Sequence, residues 1–582
     1  MASPAVPADA PAPSSSAPAR SPAPGSNPSP PRSAKPLAAL AEPVARNALR
    51  YSMSAREYAT LHKYVISRSR LLRRAAPSVS SVERIIDGDR AHAARKESRE
   101  GRTVGAGDDY NVRAVRHALR VFLATGSFMK LYGIVTRKLG KADAESNSGR
   151  KQPFHKSETF RLSLSLSTIL LLYRLLFRFM TRLRTHLLDS CAQPFRDRNP
   201  RTSAALTSPY APAVGASFAG LMLGIYPAKH LRVAIALFAA FRALEFSWNM
   251  SEDGGLIWGF KPGGKVKRER PWWFGSWMLQ PFALGQLLHA VTFDRDCFPK
   301  PIGDFIFNNS SAYLHPKPAN YPAHVKWPGT YDVVDSLAQM ARLSWPAFIS
   351  PTLFPDKETL PLSLSAIAPL TSTAHPLITS LSCATLHPTD PSCLRTYLTF
   401  WLRSFPPLAR FFLILYSALA LPRLKHLYHY PLTTLNRILG RALRSSTFVT
   451  GAISTAWSSI CLSQAYLPKH LLATQRFFLS GFLAGLWAFV ERKNGRSAFL
   501  YTTRASVDSL WKVGVKRRWW KGMKGGDVWV FVLALMATGV VYEKDRKALR
   551  EGSWRKGVSW ARGEGWRDWG AEEEEEGEEE SQ

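Results

Sequence analysis

Apolar runs begin near residue 110 and recur almost to the end of the chain. Trp272 to Phe293 is 22 residues without a charge, and Ser445 to Leu467 is another 23. At 1.5 Å per helical residue, either would cross a hydrocarbon layer about 30 Å thick, which predicts two full-length membrane helices. Shorter uncharged runs lie at Ala211 to Ala228, Phe477 to Val490 and Val528 to Tyr542, while Leu231 to Trp248 and Leu398 to Leu421 carry a few charges. Ala118 to Val135 is weaker, with Arg120 and Lys130 inside it. A soluble core helix would explain one such run. The set predicts an all-α, polytopic helical membrane protein, because a helix satisfies its own backbone where no water can.

The flanks sharpen this. Trp272 and Trp273 follow the basic loop Lys261 to Arg270, and Trp519 and Trp520 follow Lys516 to Arg518, as amphipathic rings do at headgroup level. The basic loops are therefore expected on one side. Along Leu162 to Leu188, Arg174, Arg178 and Arg182 recur every four residues on a Leu and Phe background, which predicts a basic face lying in an anionic interface. Small residues four apart, Ala216, Gly220 and Gly224 in one place and Gly481 and Gly485 in another, predict close helix packing. Each group leads into an arginine followed by an acid and a tryptophan: Arg242, Glu245 and Trp248, then Arg504, Asp508 and Trp511. A lone charge in a bilayer is costly, so Arg242 with Glu245 and Arg504 with Asp508 are expected to pair within the membrane. The parallel order predicts duplicated, small-residue-rich hairpins.

Composition divides the remainder. Residues 1–50 are rich in Pro, Ala and Ser and predict a disordered arm without a secretory or mitochondrial leader. A basic helix and polar linker are expected over 51–110, and a weak span with the basic interfacial helix over 111–199. The first membrane hairpin, a span and an ordered loop take 200–350, an irregular linker 351–397, the second membrane region 398–545 and a charged, finally acidic tail 546–582. Lys and Arg number 77 against 43 Asp and Glu, a formal net charge of +34. That excess calls for an anionic partner. The basic clusters are spread between apolar spans and accompany no nucleic-acid-binding motif, which favours anionic lipid headgroups over nucleic acid.

Candidate chemistry is sparse. Five scattered cysteines without a CxxC pair exclude a disulfide scaffold and predict no metal site; Cys383 and Cys393 read as unpaired thiols in an irregular segment. His289 and Asp294 have the H-x4-D spacing of membrane acyltransferases, but the partner motifs are missing. His426 and His429 form a single HxxH where diiron enzymes use several. No phosphate loop, GxSxG or HExxH occurs. The expectation is a non-enzymatic protein without a cofactor.

The stretch from Gly275-Ser276-Trp277 through Gly285-Gln286-Leu287-Leu288, Cys297-Phe298-Pro299, Tyr321-Pro322, Trp327-Pro328 and Tyr331-Asp332-Val333-Val334-Asp335-Ser336 to Trp345-Pro346-Ala347-Phe348 resembles the transmembrane protein 135 family. Arg476 to Leu486, Glu491-Arg492-Lys493 and Asp508 to Trp511 look like that family's carboxy-terminal repeat. The resemblance covers 200–348 and 447–542 and suggests a fungal-type member, whose hairpins are similar to those of the mitochondrial inner-membrane translocase channel superfamily. It implies a multi-pass protein of the peroxisomal membrane first and the mitochondrial membrane second, supporting organelle organisation and lipid or sterol homeostasis. Other organelle membrane proteins or a second copy would be its partners. A translocation channel for solutes or polypeptides is the alternative.

Overall fold

The computed structural model describes residues 51–68, 76–82, 108–139, 157–227, 230–261, 268–318, 321–322, 326–357, 360–421 and 428–571. The Pro/Ala/Ser arm, most of the polar linker, the middle of the basic loop 261–270, His426 and the acidic run from Glu572 lie outside them. The chain divides into two units, 1–120 and 121–582. In the first, α1 (Ala55–Leu61) starts at a capping box of Ser54 and Glu57, and Tyr58, Ile66 and Val82 bury a small core. Helix α2 (Asp108–Leu139) begins there and runs into the second unit.

The second unit is helical, and no strand occurs among its described residues. In order it contains α3 (Glu158–Leu188), α4 (Gln193–Arg198), α5 (Pro200–Thr207) and α6 (Ala211–Ser217), which runs into a 3-10 segment, Phe218–Ile225. Next come α7 (His230–Asp253), α8 (Leu279–Phe293), α9 (Lys300–Asn308), α10 (Thr330–Arg342), α11 (Ala368–Thr371) and α12 (Leu381–Leu386). The long α13 (Cys393–Ala420) and α14 (Pro431–Tyr466) form a hairpin. Helix α15 (Arg476–Gly485) runs into a second 3-10 segment, Leu486–Glu491, and α16 (Arg496–Lys516), α17 (Gly526–Lys544) and α18 (Gly552–Arg562) follow. Packing is not in chain order. Helix α8 lies against α15 and α16, whereas α17 lies against α6, the first 3-10 segment and α7.

Among the described residues, four helices are long and apolar enough to cross a membrane: Tyr110–Thr136 within α2, α3, α13 and α17. The two runs expected to be full spans are not among them. Only 15 residues of the first are α-helical, about 22 Å of rise, because Gly275 and a 3-10 turn at Ser276–Met278 precede α8. The second lies inside the 36-residue α14, whose buried face is largely Ser, Thr, Gly and Ala. Both pack into protein. By contrast α13 leaves much of its apolar surface uncovered, with Leu402 77% exposed. Pro406 and Pro407 each remove a backbone donor from it.

The largest core corrects the loop and linker expectations. Tyr313, Val334, Leu337, Met340, Trp345 and Phe348 join Leu364, Ile367, Leu381 and Leu386 around Trp457 and Phe477. Much of 360–397 therefore packs into this core and is not an irregular linker, whereas 351–357 are exposed turns. Helix α10, inside the stretch expected to be an ordered loop, buries Val333, Val334, Leu337, Met340 and Ala341 on one face, and the Asp332 carboxylate accepts the Gly329 N–H at its start. The tail also folds back in part. Ala548 and Leu549 are fully buried, and Arg562 donates to the Gly539 carbonyl and pairs with Glu543 at 2.8 Å.

Candidate functional site

The site begins at a backbone contact. A Cβ at Gly481 would run into the backbone of Leu284 and Gly285, and one at Gly485 into that of Pro281 and Gln280. Reciprocally, Gly285 faces the Phe478 carbonyl at 2.9 Å from its ideal Cβ position. Without side chains at these positions, α8 and α15 approach to backbone contact. The other small-residue group differs. Ala216 is fully buried, Gly220 has Phe531 and Val532 side chains 3.1 Å from its Cβ position, and Gly224 has only Val528 at 3.9 Å.

Beside the α8–α15 crossing, α14 and α9 complete an apolar cleft of about 390 Å³. Leu284, Leu288, Phe448, Ala452, Ala456 and Ala484 line it. Gln280, a polar group in the lining, is occupied, since its amide nitrogen Nε2 donates to the Phe499 carbonyl at 3.0 Å. Further along α14, Arg437, Arg441 and Arg444 line a groove of about 610 Å³ with Lys493. Spacings of three and four residues put Arg437, Arg441, Arg444, Phe448 and Ala452 on one stripe of the helix, so the basic groove leads towards the apolar cleft. Glu491 ends the adjoining 3-10 segment, and burial raises its carboxyl to about 7 against the opposing pull of Arg444 and Arg441. The arrangement offers an apolar body and an anionic head separate surfaces on one helix.

The charged residues read from the sequence fall out unevenly. Arg242 Nη1 lies 2.9 Å from Glu245 Oε2, and Arg496 joins the same carboxylate at 2.5 Å. Arg504 and Asp508 do not pair. Asp508 holds Lys512 at 2.5 Å, while Arg504 donates to the Leu500 carbonyl and lies over the Phe238 ring, 4.9 Å from its centroid. The reason is order along the helix: an acid four residues before a base aligns better than the reverse. The basic face of α3 is also divided. Arg174 is buried, donating to the Trp560 and Ala561 carbonyls at the end of α18, whereas Arg178 is half-buried and Arg182 exposed. A guanidinium at a helix C-terminus meets the negative end of its dipole. Sequence reasoning missed the pair of Arg232 with Asp527, which joins α7 to α17, because the two lie in distant runs.

Asp294 is taken by Arg517 at 2.6 Å, and the His289 ring instead lies tilted beside that of Phe293, with centroids 4.9 Å apart. The H-x4-D spacing therefore brings no His–Asp hydrogen bond. The cysteine expectation needs a larger correction: Cys383 and Cys393 lie together with His387 and Cys461, their ligand atoms all within 4.8 Å of one another. The sequence separates Cys461 from the others by all of α13, so spacing gave no sign of it. No protein-family model matches the chain, and no solved structure matches it.

Proposed function

We propose that the chain is a multi-pass membrane protein of an organelle, peroxisomal first and mitochondrial second, that holds an amphiphilic lipid and supports lipid or sterol homeostasis and organelle organisation without catalysis. The observation that carries this is the apolar cleft beside the α8–α15 crossing, with a separate groove of Arg437, Arg441, Arg444 and Lys493 further along the same helix, α14. Apolar clefts with a few polar groups suit small apolar ligands, and clustered cations suit an anionic headgroup. The uncovered apolar faces of α2 and α13 favour lipid around the protein. The resemblance to the transmembrane protein 135 family points the same way.

A duplicated architecture belongs to this reading. Helix α3, then α6 with its 3-10 segment, then α7 and α8 have the same order as α14, then α15 with its 3-10 segment, then α16 and α17. Each fourth helix packs on the other set. The test is photo-crosslinking in isolated membranes with a photoreactive sterol and a photoreactive anionic phospholipid. Labelling of α8 or α14 peptides is expected, with Ala456→Phe lowering it by filling the cleft. Labelling confined to α2 and α13, unchanged by that substitution, would leave only bulk lipid contact. Solute flux through reconstituted vesicles, absent from empty ones, would favour the channel alternative instead.

A further inference from the structure

Four side chains that bind soft metals converge beside the far end of α14. Cys383 belongs to α12, His387 follows that helix, Cys393 opens α13 and Cys461 comes from α14. Cys383 Sγ lies 3.8 Å from Cys393 Sγ, and His387 Nε2 lies 3.3 Å from Cys393 Sγ and 3.6 Å from Cys461 Sγ. Bonds of about 2.3 Å to sulfur and about 2.0–2.1 Å to nitrogen make a zinc tetrahedron with S–S edges of about 3.8 Å and S–N edges of about 3.6 Å. The separations of 3.8, 3.3 and 3.6 Å are close to those edges, and all four ligand atoms lie within 4.8 Å of one another. A disulfide would require sulfurs about 2.05 Å apart.

The surroundings suit the same ion. His387 Nδ1 is 2.7 Å from the Asp390 carbonyl oxygen, which places its proton there and leaves the Nε2 lone pair facing the thiols. Cys393 is the first residue of α13, whose N-terminus favours a thiolate. His387 and Cys461 are buried, and all three sulfurs pack on or within the large core around Tyr313 and Trp457. Four protein ligands complete a tetrahedron without an open position, which marks a structural and not a catalytic centre.

We propose that Cys383, His387, Cys393 and Cys461 bind one zinc ion. Binding releases the thiol protons to solvent and ties α12 and the start of α13 to α14. This site is separate from the lipid cleft and does not depend on it. Metal analysis of the full-length chain, purified in detergent from zinc-supplemented cells, should find about one zinc per chain. His387→Ala and Cys461→Ser should lose it, while Cys297→Ser, at a buried thiol elsewhere, should keep it. Should the ligand variants fail to fold, the parent decides alone: a chelator should expose Cys383, Cys393 and Cys461 to alkylation, and cobalt should restore protection with tetrahedral absorption bands. A folded parent that contains no zinc, takes up no cobalt, or carries a Cys383–Cys393 disulfide would overturn the proposal.

Discussion

A methyl group added at Gly485 would meet backbone atoms of Pro281 and Gln280, whereas one added at Gly224 would find only the Val528 side chain at 3.9 Å. Backbone cannot rotate aside, so Gly485→Ala should destabilise by about 1–3 kcal/mol and Gly224→Ala by less than about 0.5 kcal/mol. Thermal unfolding in detergent checks the contrast; equal effects would mean that the α8–α15 contact is loose. Charged residues divide in the same manner. Asp508→Asn loses one pair with Lys512, about 0.3–0.5 kcal/mol, but Glu245→Gln leaves both Arg242 and Arg496 without their carboxylate and should cost more. Glu491 adds a pH dependence. Its carboxyl, raised from 4.5 to about 7, favours the protonated folded state, so its contribution is full below pH 4.5 and falls as pH rises to 7. Ionised Glu491 also competes for Arg441 and Arg444, and binding of an anionic phospholipid should weaken above pH 7 in the parent but not in Glu491→Gln. A flat parent profile would separate Glu491 from the groove.

Elements show where the sequence was legible. Small-residue spacing pointed to Gly481 and Gly485, because helical periodicity alone puts them on one face. Absence of charge pointed to one of the four apolar helices, α17 through Val528 to Tyr542, and misplaced the longest runs: Trp272 to Phe293 is uncharged, yet its helix is short and its small face is covered by α15. The run Leu398 to Leu421 carries arginines, yet α13 is long and leaves much of its apolar surface uncovered. Hydropathy reports composition, and burial depends on partners that lie elsewhere in the chain. The end of α7 illustrates such a partner set, since Glu252 accepts from Arg270 at 2.7 Å, from Trp258 at 2.9 Å and from Arg550 at 3.0 Å. These donors hold its carboxyl at about 2, below the ordinary 4.5. The stabilisation is present above pH 4.5 and is lost as pH falls towards 2, about 1–2 kcal/mol after solvent screening. The stability difference between the parent and Glu252→Gln should therefore shrink between pH 5 and pH 2; a constant difference would contradict the ion-pair account.

At the scale of the whole molecule, the packing of α8 on α15 and α16, and of α17 on α6 and α7, brings together residues that no local pattern connects. Arg232 meets Asp527 in this way, and Cys461 meets the 383–393 segment through the hairpin of α13 and α14. Local periodicity described single helices, whereas the cleft, the buried ion pair and the sulfur cluster are products of tertiary packing. The central claim concerns where this assembly resides, and alkaline carbonate extraction of density-separated organelles, following the intact tagged chain, tests it most directly. The account predicts that the chain stays in the carbonate-washed membrane pellet, in peroxisomal fractions before mitochondrial ones. Release into the carbonate supernatant from every fraction would contradict it and would make α2, α3, α13 and α17 helices of a peripheral or soluble protein.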